Sequence, residues 1–228
     1  MIDAVIIYRM DGGDELPYCV NALRKHAQGL GSIYVIGDKP GLDGVTHIPF
    51  GDPNKRNVEA NMIRKVLLAC DLSNISNPFL LCANDEIFIR DVDLRSYPLY
   101  SMAKVPAKSV HGNRVKNTMS AMKSVGLPWR YYDGHVPVLI RKEVYKKAMS
   151  MVDWDTDMGP GILCRTPYGC LLESQGVKSV EVLDPKSHKR PTDAPVVSRV
   201  PIDQTLMPVV HRDKVNPLMG KTLRRIIA

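Results

Sequence analysis

Three short runs of uninterrupted apolar residues constrain the fold more than any other feature. They are Ala4-Val5-Ile6-Ile7-Tyr8, Ser32-Ile33-Tyr34-Val35-Ile36 (after its leading serine) and Phe79-Leu80-Leu81-Cys82-Ala83. A strand with one wet face alternates apolar and polar residues; these do not alternate, so both of their faces must be covered. Helical periodicity fills the gaps. Between Glu15 and His26, Leu16, Cys19, Val20 and Leu23 share one face, and Gly29 and Gly31 follow as stops. Over 55–70, Ile63, Val66, Leu67 and Cys70 share one side and Asn57, Asn61, Arg64 and Lys65 the other, with Leu68 the exception. Residues 45–49 read as a short edge strand, and Ile87-Phe88-Ile89 as a continuation of the third run. Alternation of strand and helix predicts an α/β fold with a mainly parallel, Rossmann-like sheet flanked by helices.

The second half is less regular. Residues 101–130 carry Pro, Gly, Ser and Lys with weak periodicity, and 104–132 is read as a loop. A strand is expected over 136–140, a helix over 142–151, a turn and helix from 159 to 169, and a strand over 177–183. The prolines at 185, 191, 195 and 201 mark a loop, and a short basic helix is expected over 219–227. No internal repeat and no linker divides the chain.

With 228 residues, 44% hydrophobic and 24% charged, the chain can bury a real core. Aromatics at 6% argue against a platform of stacked bases. No run of apolar residues is long enough for a membrane span, and the first residues lack a basic leader and a small-residue cleavage site. Integral membrane association is therefore not expected. Five cysteines without a C-x-x-C spacing signal neither a disulfide framework nor a zinc site. The expectation is a reduced, cytoplasmic protein, in the host cytoplasm if its source is viral. The net charge of +7 is unevenly placed: residues 104–147 carry 10 basic and 2 acidic side chains, and 186–228 carry 9 and 3. Brought together, these stretches would form a groove for a polyanion; kept apart, they are two solvated faces.

Ligands of open α/β sheets bind beyond the carboxyl ends of the strands. Three such ends are polar here: Arg9-Met10-Asp11-Gly12-Gly13, Gly37-Asp38-Lys39 and Asn84-Asp85-Glu86. Gly12 and Gly13 permit close approach of backbone to a ligand. Asp38 can accept hydrogen bonds from a ribose or base. Asp85 and Glu86 place hard oxygen ligands at the end of a rigid strand, which suits Mg²⁺ or Mn²⁺ bridging a diphosphate. The same pair also fits an ordinary acidic turn.

The stretch from Ile33 to Leu94 resembles nucleotide-sugar glycosyltransferases of the GT-A type. It is most similar to the group with an Asn-Asp-Asp/Glu metal motif, the Stealth-like transferases among them. The resemblance rests on IGDKP, HIPF, KRNVEANMIRKVLLAC and FLLCANDEIFI in order, and on DGHVPVLIRKEVYKKA further on. YGCLLE and the terminal basic helix fit more loosely. The resemblance implies a GT-A-like domain whose residues 1–100 form the nucleotide-sugar-binding half and 101–228 the acceptor-binding half. It implies a nucleoside diphosphate sugar (a UDP-sugar) as donor, with Arg9, Gly12, Asp38, Asn57, Asn61, Lys65 and Asn84 around it. It implies Mn²⁺ or Mg²⁺ on Asp85, Glu86 and His211. Asp133 and His135 become the candidates for activating an acceptor hydroxyl.

The charge pattern favours a polyanionic acceptor, and a hydroxymethylated base in DNA fits; the 104–132 stretch would then expose the base. A cell-envelope polysaccharide, reached by glycosyl or sugar-phosphate transfer, and a non-catalytic nucleic-acid-binding module are the alternatives. Trp129, Tyr131, Tyr132 and Trp154 suit either a stacked ligand or the core. Asp153, Asp155 and Asp157 suit an acidic turn or the acceptor side. Lys186, Lys189 and Arg190 suit a loop closing over a diphosphate.

Overall fold

The computed structural model describes residues 1–10, 15–54, 56–105, 110–155, 161–184 and 196–197. Its strands are β1 (Ile2–Tyr8), β2 (Ala27–Gln28), β3 (Leu30–Gly37), β4 (Thr46–Pro49), β5 (Phe79–Ala83), β6 (Ile87–Phe88), β7 (Val92–Asp93), β8 (Leu99–Met102), β9 (Val138–Ile140), β10 (Ser179–Val182) and β11 (Val196–Val197). Its helices are α1 (Glu15–His26), α2 (Val58–Asp71), α3 (Val110–Ser124), α4 (Lys142–Ser150) and α5 (Thr166–Ser174).

The main sheet has the order β4-β3-β1-β5-β9. Its first four strands are parallel, and β9 runs antiparallel to β5. The uninterrupted apolar runs have the explanation expected of them. Ala4, Ile6, Val35, Leu80 and Cys82 face one layer, which includes Leu16, Cys19, Val20 and Leu23 of α1. Val5, Ile36, Phe79 and Leu81 face the other, against Ile63 and Val66 of α2, Tyr145 and Met149 of α4, and Tyr168 and Leu171 of α5. Side chains from both ends of the chain thus share the same core, and β9 joins the sheet built by the first half. The fold is α/β, with a mainly parallel sheet between helical layers.

Two expectations need correction. Ile87 and Phe88 do not extend β5. The chain turns at Asn84-Asp85 and starts a separate strand, β6, paired antiparallel with β11. The turn closes where Glu86 N donates to Ala83 O at 3.2 Å. Residues 104–132 are not all loop, since Val110–Ser124 is helical. The inner face of α3 is too mixed for simple apolar counting, because Arg114 and Thr118 lie there beside Val115 and Met122. The expected helix over 219–227 lies outside the described residues.

Parallel strand ends come close at Gly37. Its φ is +135°, and a Cβ there would stand 1.9 Å from Tyr8 O, so no other residue fits without moving β1. Among the described residues no helix is long and apolar enough to cross a membrane. All five cysteines are free and buried.

Candidate functional site

The carboxyl ends of β1, β3 and β5 lie side by side, so their polar extensions meet. After β3, Asp38 Oδ2 accepts from Met10 N at 2.7 Å and ties the two strand ends together. Arg9 is exposed beside it. Lys65 is 3% exposed, and its Nζ stands 2.7 Å from Asp52 Oδ1. A Cβ on Gly37 would lie 3.4 Å from that Nζ, which puts the ammonium at the tip of β3. Asn84 Nδ2 donates to Glu15 Oε2 at 3.3 Å, joining the β5 end to the start of α1.

Asn57, Asn61 and Lys65 are buried and do not face a ligand, which corrects the donor-facing role expected of them. Asn57 caps α2, its Oδ1 accepting from Ala60 N at 3.1 Å, and its Nδ2 donates to Trp154 O. Asn61 Oδ1 accepts from Asn54 N, and its Nδ2 donates to Asn54 O at 2.7 Å. These amides fold the loop entering α2. The polar side of α2 is therefore turned inward, because the loop offers it backbone partners.

Glu86 also takes a different place from the one expected. It is 1% exposed. Its Oε2 accepts from Ala83 N at 2.9 Å and its Oε1 from Arg165 Nη1 at 2.8 Å. Burial raises its pKa, and Arg165 opposes the rise. Both oxygens are engaged by protein donors, so the Asp-Glu pair does not fit a two-carboxylate metal clamp. Asp85 stands at the same turn and is 5% exposed.

Arg165 is the hub of the site. Its Nη1 also donates to Gly134 O and Val136 O, each at 2.8 Å. Those carbonyls flank His135. Burial alone would lower the pKa of the guanidinium, yet Glu86 and its other neighbours raise it, so the charge is held firmly. One buried cation thereby fixes both the Asn84-Asp85-Glu86 turn and the backbone around His135. A Cβ at Gly134 would stand 2.0 Å from Met102 Sδ, so a larger residue there requires that side chain to move.

His135 Nδ1 lies 3.0 Å from Asp184 Oδ1, with the His side chain 26% exposed. Asp184 follows β10 and lay outside the sequence reading. With Nδ1–H donated to Asp184, Nε2 is the nitrogen able to take a proton. Asp133 does something else. Its Oδ1 accepts from Arg165 N at 3.0 Å and its Oδ2 from Thr166 N at 2.7 Å. It stabilises the entry to α5, where helix amides lack intrahelical partners. Of the two residues expected to activate an acceptor, His135 has the geometry of a base, whereas Asp133 is held by backbone donors.

Glu59 belongs to the site and was not anticipated. One carboxylate in the first turn of a helix reads as a response to the helix dipole, and nothing local marks it as buried. Glu59 Oε1 accepts from Arg114 Nη1 of α3 at 2.9 Å. Burial first, then Asp133, push its pKa up to about 7, against the pull of Arg114 and Arg165. Ligand atoms of Glu59, Asp133 and Cys164 lie within 4.8 Å of one another, a set able to hold a metal ion. Here the three are linked by hydrogen bonds, and burial raises the Cys164 thiol well above its usual range. A thiol in that state is not a metal ligand until it loses its proton.

Tyr131 and Tyr132 are core residues, 2% and 4% exposed. Arg64 pairs with Asp155 and sits over the Trp154 ring, with its guanidinium carbon 5.9 Å from the centroid, so that acidic stretch docks on α2. Gly12, Asp157, Lys186, Lys189, Arg190 and His211 lie outside the described residues. No protein-family model and no curated protein matches the chain.

Proposed function

We propose that the protein is a glycosyltransferase that takes a sugar from a nucleoside diphosphate sugar and passes it to a hydroxyl acceptor. The observation that carries this reading is the joint hold of Arg165 on Glu86 and on the carbonyls either side of His135. It unites the two segments that resemble GT-A enzymes, the Asn84-Asp85-Glu86 turn and the Asp133–Ala148 stretch, in one rigid unit.

The donor half lies over the strand ends. Asp38 accepts from Met10 N, and its half-buried carboxylate suits a ribose hydroxyl beside it. Arg9, exposed just after β1, supplies positive charge beside the strand ends, where a diphosphate would rest. A divalent ion held by Asp85 would offset charge on the departing diphosphate. His135, oriented by Asp184, takes the proton of the attacking hydroxyl at Nε2 as that oxygen bonds to the anomeric carbon and the diphosphate leaves. The carbon–oxygen bond to the diphosphate breaks in the same step, so charge passes to the leaving group.

The acceptor we favour is a hydroxymethylated base in DNA, on the strength of the basic 104–147 stretch. Incubation with UDP-sugars, Mn²⁺ and hydroxymethylcytosine-containing duplex, followed by mass analysis of the nucleosides, tests it. A base heavier by one glycosyl residue is expected. Transfer of a phosphate-bearing group, or donor left intact with every acceptor, would overturn it.

A further inference from the structure

The exposed face of α3 is all polar or cationic except at its rim. Around the helix, Asn113, Lys116, Asn117, Met119, Ser120, Lys123 and Ser124 are exposed, whereas Val115, Thr118 and Met122 are buried. At 3.6 residues per turn, the exposed set falls on one continuous arc. No acidic residue occurs anywhere between Lys104 and Tyr132. Surfaces of soluble proteins ordinarily intersperse both signs, so a face of cations, amides and hydroxyls, with Met119 at its rim, marks a preference for anions.

The inner face fastens this helix to the site. Arg114 reaches Glu59 on α2 at 2.9 Å. Thr118 Oγ1 accepts from Leu163 N at 3.0 Å, two residues before Arg165. Met122 packs with Tyr132 and Cys170. The helix is thus rigidly presented beside the segment that carries His135.

We infer that the outer face of α3 is a docking surface for the phosphate backbone of duplex DNA. Lys116 and Lys123 stand two turns apart, about 10 Å along the axis, as paired phosphate contacts. Asn113, Asn117 and Ser120, between and beside them, supply hydrogen bonds to sugar–phosphate oxygens. Charge complementarity decides the partner class, and the apolar content decides against a lipid surface. A helix lying on a membrane inserts a broad apolar face, but the apolar face of α3 is already buried in the protein. This inference deepens the acceptor part of the reading above and is independent of the transfer chemistry.

The test uses the full chain and its Lys116→Gln/Lys123→Gln variant, with Lys25→Gln/Lys147→Gln as an exposed-lysine control. Binding to a 20-base-pair duplex is measured by fluorescence anisotropy across a salt series. Each lost phosphate contact lowers the slope of log K against log salt by about 0.9, so the α3 variant should lose roughly 1.8 and the control nothing comparable. Thermal shift with UDP and Mn²⁺ runs alongside. Reduced DNA binding with the UDP response retained supports the docking face. An unchanged slope in the α3 variant, an equal loss in the control, or no salt-sensitive DNA binding by the parent protein overturns it, whatever the UDP response. Retained DNA binding with loss only of binding to anionic vesicles likewise overturns it. A flat UDP response in the parent protein bears on the glycosyltransferase reading alone.

Discussion

Arg165 Nη1 lies 2.8 Å from Glu86 Oε1, both side chains almost wholly buried, and this pair ties the end of β5 to the segment that carries His135. A buried ion pair is costly to assemble, but far costlier to break from one side, because the surviving charge has no solvent to turn to. The pair therefore acts as a rigid strut between the turn after β5 and the segment that carries His135.

Replacing one partner measures the strut. Glu86→Gln leaves the guanidinium without its counter-charge, and Arg165→Met leaves Gly134 O and Val136 O without their donor. Each should lower unfolding free energy by about 3 kcal/mol or more. Urea denaturation checks this. A loss below about 1 kcal/mol in both would place the pair in contact with solvent.

Glu59 makes stability depend on pH. Its carboxyl is raised from 4.5 to about 7 by burial and by Asp133, so the folded protein holds a proton there that the unfolded chain has released. Stability from this group is fully present below about 4.5 and is lost as pH climbs to about 7. Glu86 is raised as well and acts in the same direction. Glu59→Gln should flatten this decline by up to roughly 3 kcal/mol between those pH values. Parallel stability–pH curves for the variant and the parent protein would contradict the assignment.

His135 and Asp133 separate by readout. His135→Asn should reduce transfer by about 10²-fold or more while leaving thermal stability and UDP binding nearly unchanged. Asp133→Ala should instead cost about 1–2 kcal/mol of stability through the lost cap on α5. A stable, inactive Asp133→Asn protein beside an active His135→Asn protein would reverse the roles.

The framework was readable because burial on both faces writes itself into consecutive apolar residues. Ala4–Tyr8 and Phe79–Ala83 are such runs, short enough for strands and bounded by polar turns. The polar residues were harder. Asn57 and Asn61 sit on one helical side with Lys65, and composition alone cannot tell a ligand-facing side from one that holds a loop. Asp85 and Glu86 are adjacent and chemically alike, yet the turn at Asn84-Asp85 sends Glu86 inward to Arg165, a partner 79 residues away. Glu59, Arg114 and Asp184 carry no local mark, since each gains its role from a contact made across the fold. Helix α3 is not legible in the sequence because its buried side includes a threonine and an arginine that find partners in the core.

The most direct measurement of the central claim is thermal shift with UDP and other nucleoside diphosphates, with and without Mn²⁺, for the parent protein and Asp85→Asn. Ligands that bind the folded state raise its apparent stability, by about 2.7 kcal/mol at a hundredfold excess over Kd. The account predicts a Mn²⁺-dependent rise for at least one nucleoside diphosphate, lost in Asp85→Asn when each rise is measured against that protein's own melting temperature. No rise with any of them, or the same rise in Asp85→Asn, would contradict it.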